Sequence, residues 1–487
     1  MATMVSTATP SPSKVSLGVR LGYAVGSFCT ANFSTIPGLL LLFYMTNVLA
    51  VPAALAGVVL FVPKAWDLIA NTLVGRWSDR TVSRWGPRRP WLLAGAAVLP
   101  VSFALMFAGP PITGVPAAVY VGVTFLAAAT GYALYEVPYK AMPAEMTTDY
   151  HERTSLLQWR MALIAVSIAM SGILAPTLAG ETADGYRVMG VTFGVILLVA
   201  MLGSFFGTAR APFTAPRKSE GTLREQLAAA RTSKQFLWLL GLSSAQTLGA
   251  GVMLAGAPYF AAYALDDTAA TTTLFAALVG PMLITMPLWV WLARKLDKRG
   301  AMILCGALFT IGALLLLATP AFGELYAHLC VMIVGFGYAG TQLLQFSMLA
   351  DVIAYDGMLS GERRGGIFTG LWTAVENAVQ ALGATAYGWV LSLGSFASSD
   401  PEHPVTQPDS AHVAVVIGVT VVPALITFAG VLMTLRYDLT ADRLAAVTGG
   451  STPSAAPVSG SDGQHGGQDR TQDGGRPEPG EVLRTEE

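Results

Sequence analysis

The chain has 487 residues, 53% of them hydrophobic and only 12% charged, about half the charged fraction of a soluble globular domain. That composition excludes an ordinary water-soluble core and places the chain in a bilayer. The net charge of −1 gives no ground for a nucleic-acid partner, because in such a chain the location of charge matters more than its sum.

In chain order, the polar start MATMVSTATPSPSK lacks the basic n-region of a secretory leader, and the apolar run behind it is too long for one, so the N-terminus is expected to stay. Apolar runs of membrane-crossing length then recur twelve times, at 17–48, 52–78, 90–109, 115–142, 153–178, 188–208, 236–264, 270–293, 301–319, 324–349, 365–396 and 411–436. The longest inner connection, 209–235, divides them six and six. The halves also rhyme: GRWSDRTVSRWGPRRP after the second run answers ARKLDKRG after the eighth, and AEMTTDYHER after the fourth answers ADVIAYDGMLSGER after the tenth. Parallel six-span repeats are the build of a two-bundle transporter with its site between the halves. The expectation is an all-α polytopic membrane protein of twelve transmembrane helices in two six-helix bundles: a short segment 1–16, a bundle 17–208, a linker 209–235, a second bundle 236–438, and a Gly/Ser/Pro-rich tail 439–487 that cannot bury a core.

Of the 29 Lys and Arg residues, three are read as intramembrane and only Arg187 falls in a connection on the outer side, leaving 25 at inner span ends, in inner segments or in the tail. This bias puts both termini in the cytoplasm. Three cysteines, Cys29, Cys305 and Cys330, sit in spans at no metal-ligand spacing and read as small buried hydrophobes.

Six charges are read as intramembrane: Lys64, Lys140 and Arg160 against Asp67, Glu136 and Glu376. Unpaired, they would cost together about 15–20 kcal/mol on insertion scales, so they must face protein or water. In the second span Lys64, Asp67, Asn71, Gly75 and Ser78 share one helical face, with Leu, Ile and Val opposite. In the fourth, Tyr132, Glu136 and Lys140 recur one turn apart, beside Pro138. Arg160 follows two turns into the fifth. Trp372, Thr373, Glu376, Asn377 and Gln380 form a stripe in the eleventh, and Thr341, Gln342 and Gln345 a weaker one in the tenth. Bland alternatives stand beside these: structural ion pairs at Lys64–Asp67 and Glu136–Lys140, a snorkelling Arg160, and core packing for Tyr132, Trp372 and Tyr387. The arginines of 76–89, Arg88 included, read as orientation determinants, with Asp79 and Arg80 tethering helix ends. Asp351 and Arg363 belong to the matching motif of the second half.

WDLIANTLVGRWSDRT, RWGPRRPW, YEVPYKAM, ERTSLLQWR and LADVIAYDGMLSGERRGGIFTGLW together resemble the glycoside–pentoside–hexuronide:cation symporters, the melibiose permease-like family of the major facilitator superfamily, over residues 17 to about 438. The resemblance implies the major facilitator fold, alternating access and a cation-driven solute. It implies a cation-coupling set of Asp67, Asn71 and Glu136, with Asn71 where the family has a second carboxylate and Ala133 where it has a hydroxyl. It implies solute contacts at Tyr132 and Arg160. The family's helix-1 acid falls on Ala31, with Asn32 beside it; its stacking tryptophan falls on Lys140 and its helix-11 lysine on Asn377. Those three family contacts do not carry over; from the two matches together with the polar stripes, the expected substrate-binding set is Asn32, Lys64, Tyr132, Lys140, Arg160, Trp372, Thr373, Glu376 and Asn377.

Sodium needs several hard oxygen donors, whereas a proton needs one carboxyl, so H+ is expected ahead of Na+ as coupling ion, with no other cofactor or metal. The resemblance implies a glycoside or sugar-like compound, and Lys140 and Arg160 favour an acidic one such as a uronate. The rival within transport is an exporter or carrier of an amphiphilic natural product or lysolipid. An intramembrane enzyme is excluded by the lack of clustered aspartates or paired histidines, since His151, His328, His403, His412 and His465 lie in loops, near span ends or in the tail. The expected setting is the cell membrane, the expected partners the solute, the cation and lipid, and the expected state a monomer.

Overall fold

The computed structural model describes residues 15–147, 150–211, 233–360 and 365–439. Arg363, most of the 209–235 connection and the tail lie outside them. Among the described residues there is no β-structure beyond one isolated bridge, Asp400 with His403.

Ten helical stretches among the described residues are long and apolar enough to cross a membrane. The longest, Ala270–Phe322, has 53 residues, about 80 Å at 1.5 Å per residue, more than twice the hydrocarbon thickness. It breaks at Asp297, whose φ of 61° lies in the left-handed region that a helix excludes for L-residues. A twelfth segment, Gly365–Leu393, has 29 residues. The helices are α1 (Leu17–Asn47), α2 (Ala53–Arg80), α3 (Arg89–Phe107), α4 (Gly114–Met146), α5 (Tyr150–Ala179), α6 (Ala183–Gly207), α7 (Lys234–Ala264), α8 (270–296), α9 (298–322), α10 (Glu324–Ser360), α11 (Gly365–Leu393) and α12 (Asp409–Thr434). All three cysteines are buried and unpaired.

Side-chain exposure follows the sequence pattern. Along α2, Asp67 and Ser78 are buried, and Lys64, Asn71 and Gly75 half-buried. Val58, Val62 and Ile69, on the other side, are exposed, as a lipid-facing stripe should be. Within α1 the residues Pro37–Leu41 form a π-helical turn, because Pro37 lacks the N–H that an α-helical ladder requires.

At the end where α1 stops and α2 starts, the N-terminal half (α1–α6) and the C-terminal half (α7–α12) are joined. The Thr46 hydroxyl lies 2.6 Å from the Tyr259 hydroxyl, Tyr263 donates to Asn47 at 2.7 Å, and the Ser398 hydroxyl donates to the Val51 carbonyl at 2.7 Å. Thr385 donates to the Gly57 carbonyl at 2.9 Å. Here α2 and α11 approach so closely that a Cβ on Gly388 would stand 2.7 Å from the Ala53 carbonyl oxygen and 3.3 Å from the Gly57 Cα. At the opposite end, among the described residues, no hydrogen bond or ion pair joins the halves.

Candidate functional site

At that unjoined end each half carries its own clamp. Arg88 is only 6% exposed. Its Nε and Nη2 donate to Glu145 Oε1 at 2.8 and 2.5 Å, and its Nη1 reaches Ser78 Oγ and Asp79 Oδ1, both at 2.7 Å. The sequence reading gave Asp79 the neighbour Arg80. Consecutive helical residues diverge by about 100°, so Arg80 is exposed and Arg88, beyond the turn, reaches back instead. In the C-terminal half Lys298 meets Asp351 at 2.5 Å. The rhyming motifs thus make matching contacts: a cation after the second helix of each half holds an acid at the end of the fourth.

Deeper in the fold, Glu136 on α4 is 3% exposed. Its Oε1 lies 3.0 Å from Lys140 Nζ and 3.6 Å from Arg160 Nη2, and its Oε2 accepts from Thr30 Oγ1 at 2.7 Å. The Arg160 guanidinium sits 5.5 Å from the centre of the Tyr139 ring, which stacks on Tyr23 and Tyr135 at 4.5 and 5.3 Å. Arg160 therefore does not snorkel; it is held over an aromatic bed by a carboxylate. Two cations on one buried carboxylate leave the cluster with an excess of positive charge.

A second pair lies on α2, with Lys64 Nζ 4.0 Å from Asp67 Oδ2. The other Asp67 oxygen is buried and, among the described residues, has no hydrogen-bond partner. Lys64 lies 5.2 Å from the Phe33 ring centre, and Phe33 stacks at 4.6 Å on Tyr132, one turn before Glu136. An aromatic pair thus stands between the two carboxylates.

Between the halves lies a cavity of about 320 Å³ lined by Thr30, Ser34 and Thr35 on α1, by α5 and α7–α10, by Gln380 on α11 and by Val419 on α12. A recess of about 40 Å³ beside it is lined by Lys64 and shares Ser34, Gly251, Leu254 and Gln380 with it. Of the sequence-proposed solute contacts, Lys64 alone lines either space. Tyr132, Lys140, Arg160, Thr373, Glu376 and Asn377 line neither; Lys140, Thr373 and Asn377 are exposed, and Glu376 is half-buried within electrostatic reach of Lys140. Trp372 is 1% exposed, packed among Phe368, Leu344 and Met348, one of the core aromatics rather than a wall. Asn32 also turns away from the cavity. Its Nδ2 donates to the Phe28 carbonyl at 2.7 Å and its Oδ1 accepts from Ser171 at 2.5 Å, bolting α1 to α5. A single-residue step on the helix brings Ala31 and Thr30 to the wall in its place. The sequence reading missed Thr30, Glu145 and Lys298; the hydroxyl-rich FCTANFST run was the signal for the first, and the paired motifs for the other two.

The family model for MFS/sugar transport proteins matches residues 22–441. The chain is 25% identical to a putative glycoside/cation symporter of Escherichia coli over 88% of this chain and 93% of that one. It is 26% identical to an isoprimeverose transporter of Lactiplantibacillus pentosus over 78% of this chain and 81% of that one. Among solved structures, a bacterial homologue of the human lysosomal transporter Spinster superposes with a TM-score of 0.65 at 16% identity, covering 88% of this chain and all of that one.

Proposed function

The chain belongs to the MFS/sugar transport protein family, whose members are membrane transporters and not enzymes, and from that premise we propose that it is a proton-coupled symporter importing a glycoside or sugar-like solute. It works as a twelve-crossing monomer in the cell membrane with both termini in the cytoplasm, the six helices either side of the 209–235 linker forming its two bundles. The unjoined end is then the cytoplasmic one, and the structure is an inward-open state of an alternating-access cycle.

The observation that carries this reading is the shared carboxylate of Glu136, held by Lys140, Arg160 and a Thr30 that lines the cavity wall. An ionised Glu136 occupies both cations. A proton on it releases them, so that Arg160 and Lys140 become donors for solute hydroxyls or a solute carboxylate. Solute and proton thereby favour each other's binding, which is the thermodynamic requirement of symport. In the occluding step Lys140 exchanges Glu136 for Glu376 of the opposite half, drawing the cytoplasmic ends together. Arg88–Glu145 and Lys298–Asp351 keep each half rigid while it moves. Asp67, with one free oxygen beside Lys64, is the secondary proton carrier. The donors support H+ ahead of Na+: Asn71 adds no charge to Asp67, and both oxygens of Glu136 are already engaged, leaving few anionic oxygens for a hard cation.

The test is uptake into proteoliposomes over a panel of neutral and acidic glycosides, with proton and sodium gradients imposed separately. Accumulation driven by the proton gradient alone is expected; accumulation driven by sodium alone overturns the coupling assignment. A second reading, outward transport of an amphiphile or lysolipid, is favoured by the largely apolar cavity. Inside-out vesicles that accumulate such a compound against its gradient, while glycosides stay unmoved, would establish it instead.

A further inference from the structure

We propose that the solute is a glycoside bearing a compact apolar aglycone, an aryl or short alkyl group, seated in the cavity between α5 and α8–α10 while its sugar sits at Thr30, Glu136 and Arg160. This rests on the glycoside reading above and adds the identity of the second half of the molecule.

The cavity wall is chemically divided. Hydroxyls and amides gather on the α1 side and at Gln342 and Gln380, where Thr30 leads directly to the Glu136 cluster. The hydroxyls of Thr247 and Tyr338 add to the polar part, and what remains, with Leu278, Val279, Met282, Phe309 and Val334 among its surfaces, offers side chains without hydrogen-bonding groups. A sugar presents hydroxyls around its whole ring, and those turned to this wall would lose water without gaining partners. An apolar group loses nothing there and releases water from both surfaces. The space also has a size. An apolar cavity of about 150 Å³ holds one benzene ring, so about 320 Å³ accommodates a ring together with the inner edge of a sugar. Its far end is stopped: the Phe275 ring packs on α5 so tightly that a Cβ on Gly172 would fall 1.8 Å from it. A long acyl chain would need that end open, so the occupant is short.

The charge pattern orients the solute. Every intramembrane cation, Lys64, Lys140 and Arg160, is on the N-terminal half, so the polar end faces α4 and α5 and the apolar end faces the C-terminal half. Occupation of this space also bridges α5 to α8 and α10, giving the bound solute a grip on both halves.

The experiment uses the full chain in proteoliposomes under a proton gradient, with phenyl and methyl glycosides of glucose, galactose, xylose and glucuronic acid as probes. For whichever sugar is carried, the phenyl glycoside is expected to have a KM at least tenfold below that of the methyl glycoside. Met282→Trp, which fills the space, is expected to bring that ratio near one. Met282→Ala, which enlarges it, is expected to improve the naphthyl glycoside relative to the phenyl one, a gain that a merely damaged fold does not produce. Equal KM values for phenyl and methyl glycosides, or a ratio untouched by both Met282 variants, overturn the inference and leave the symporter reading standing. Failure of every glycoside, with transport of lysophosphatidylcholine, overturns both.

Discussion

At the unjoined end of the N-terminal half, Arg88 is enclosed by Ser78, Asp79 and a Glu145 carboxylate that is itself buried, whereas in the C-terminal half Lys298 meets Asp351 with side chains 35% and 24% exposed. The same contrast runs through the membrane. The N-terminal half holds Lys64, Asp67, Glu136, Lys140 and Arg160; the C-terminal half has Glu376 and a set of amides, Gln246, Gln342, Gln345 and Gln380. In the proposed function the two halves divide the work: one binds charge in a rigid frame, and the other supplies shape. Arginine suits the first task, since its planar fork serves several acceptors at once, while a lysine ammonium is a point charge on a flexible stem.

The largest test of that division is Glu136→Gln. Removing the protonatable group from the charged half is expected to lower gradient-driven accumulation by more than about a hundredfold while leaving solute counterflow measurable; Glu376→Gln in the other half is expected to slow exchange and accumulation together. Equal effects at the two sites would break the comparison. Next comes Arg88→Ala, which strands the buried Glu145 charge and is expected to cost about 3–5 kcal/mol of stability, read as a fall in Tm of the detergent-solubilised protein. The closed end provides a third. Gly388→Val drives a branched side chain into α2 beside Gly57, and is expected to shift the population about tenfold toward the outward-open state, measured by thiol labelling of a cysteine placed in the external connections. Asn71→Asp restores a second carboxylate one turn from Asp67 and is expected to confer a few-fold sodium stimulation of uptake. Smallest is Lys298→Ala, expected to cost no more than about 1 kcal/mol because its pair is half in solvent.

Most of the helical plan was legible in the sequence because apolar length and the flanking charges determine it: expected and observed ends of α1, α2, α7 and α9 agree within about three residues. The end of α10 did not. Its last turns, ADVIAYDGMLS, continue the helix to Ser360 beyond the expected 349, since an amphipathic continuation outside the hydrocarbon adds no hydropathy to find. Within the site, the charged residues announced themselves by the cost of placing them there. Their partners did not. Thr30 is one hydroxyl among several on α1, and only the packing of α1 against α4 selects it. Trp372 shares its helical stripe with Glu376 yet lies in the core, because periodicity gives the direction of a face but not the depth of what covers it.

The π-helical turn at Pro37–Leu41 divides α1 between two owners. Below it, Asn32 and the close approach of Gly22 to Gly207 fasten the helix to α5 and α6; above it, Thr46 and Asn47 grip Tyr259 and Tyr263 of the opposite half. In the proposed cycle, rocking between the halves therefore bends this crossing, as it loads α2 through its own bond at Gly57, and a turn carrying a surplus residue is where a helix yields most cheaply. In that cycle the first segment of the chain would act less as a wall than as a universal joint, whose stiffness would govern how fast the solute changes sides.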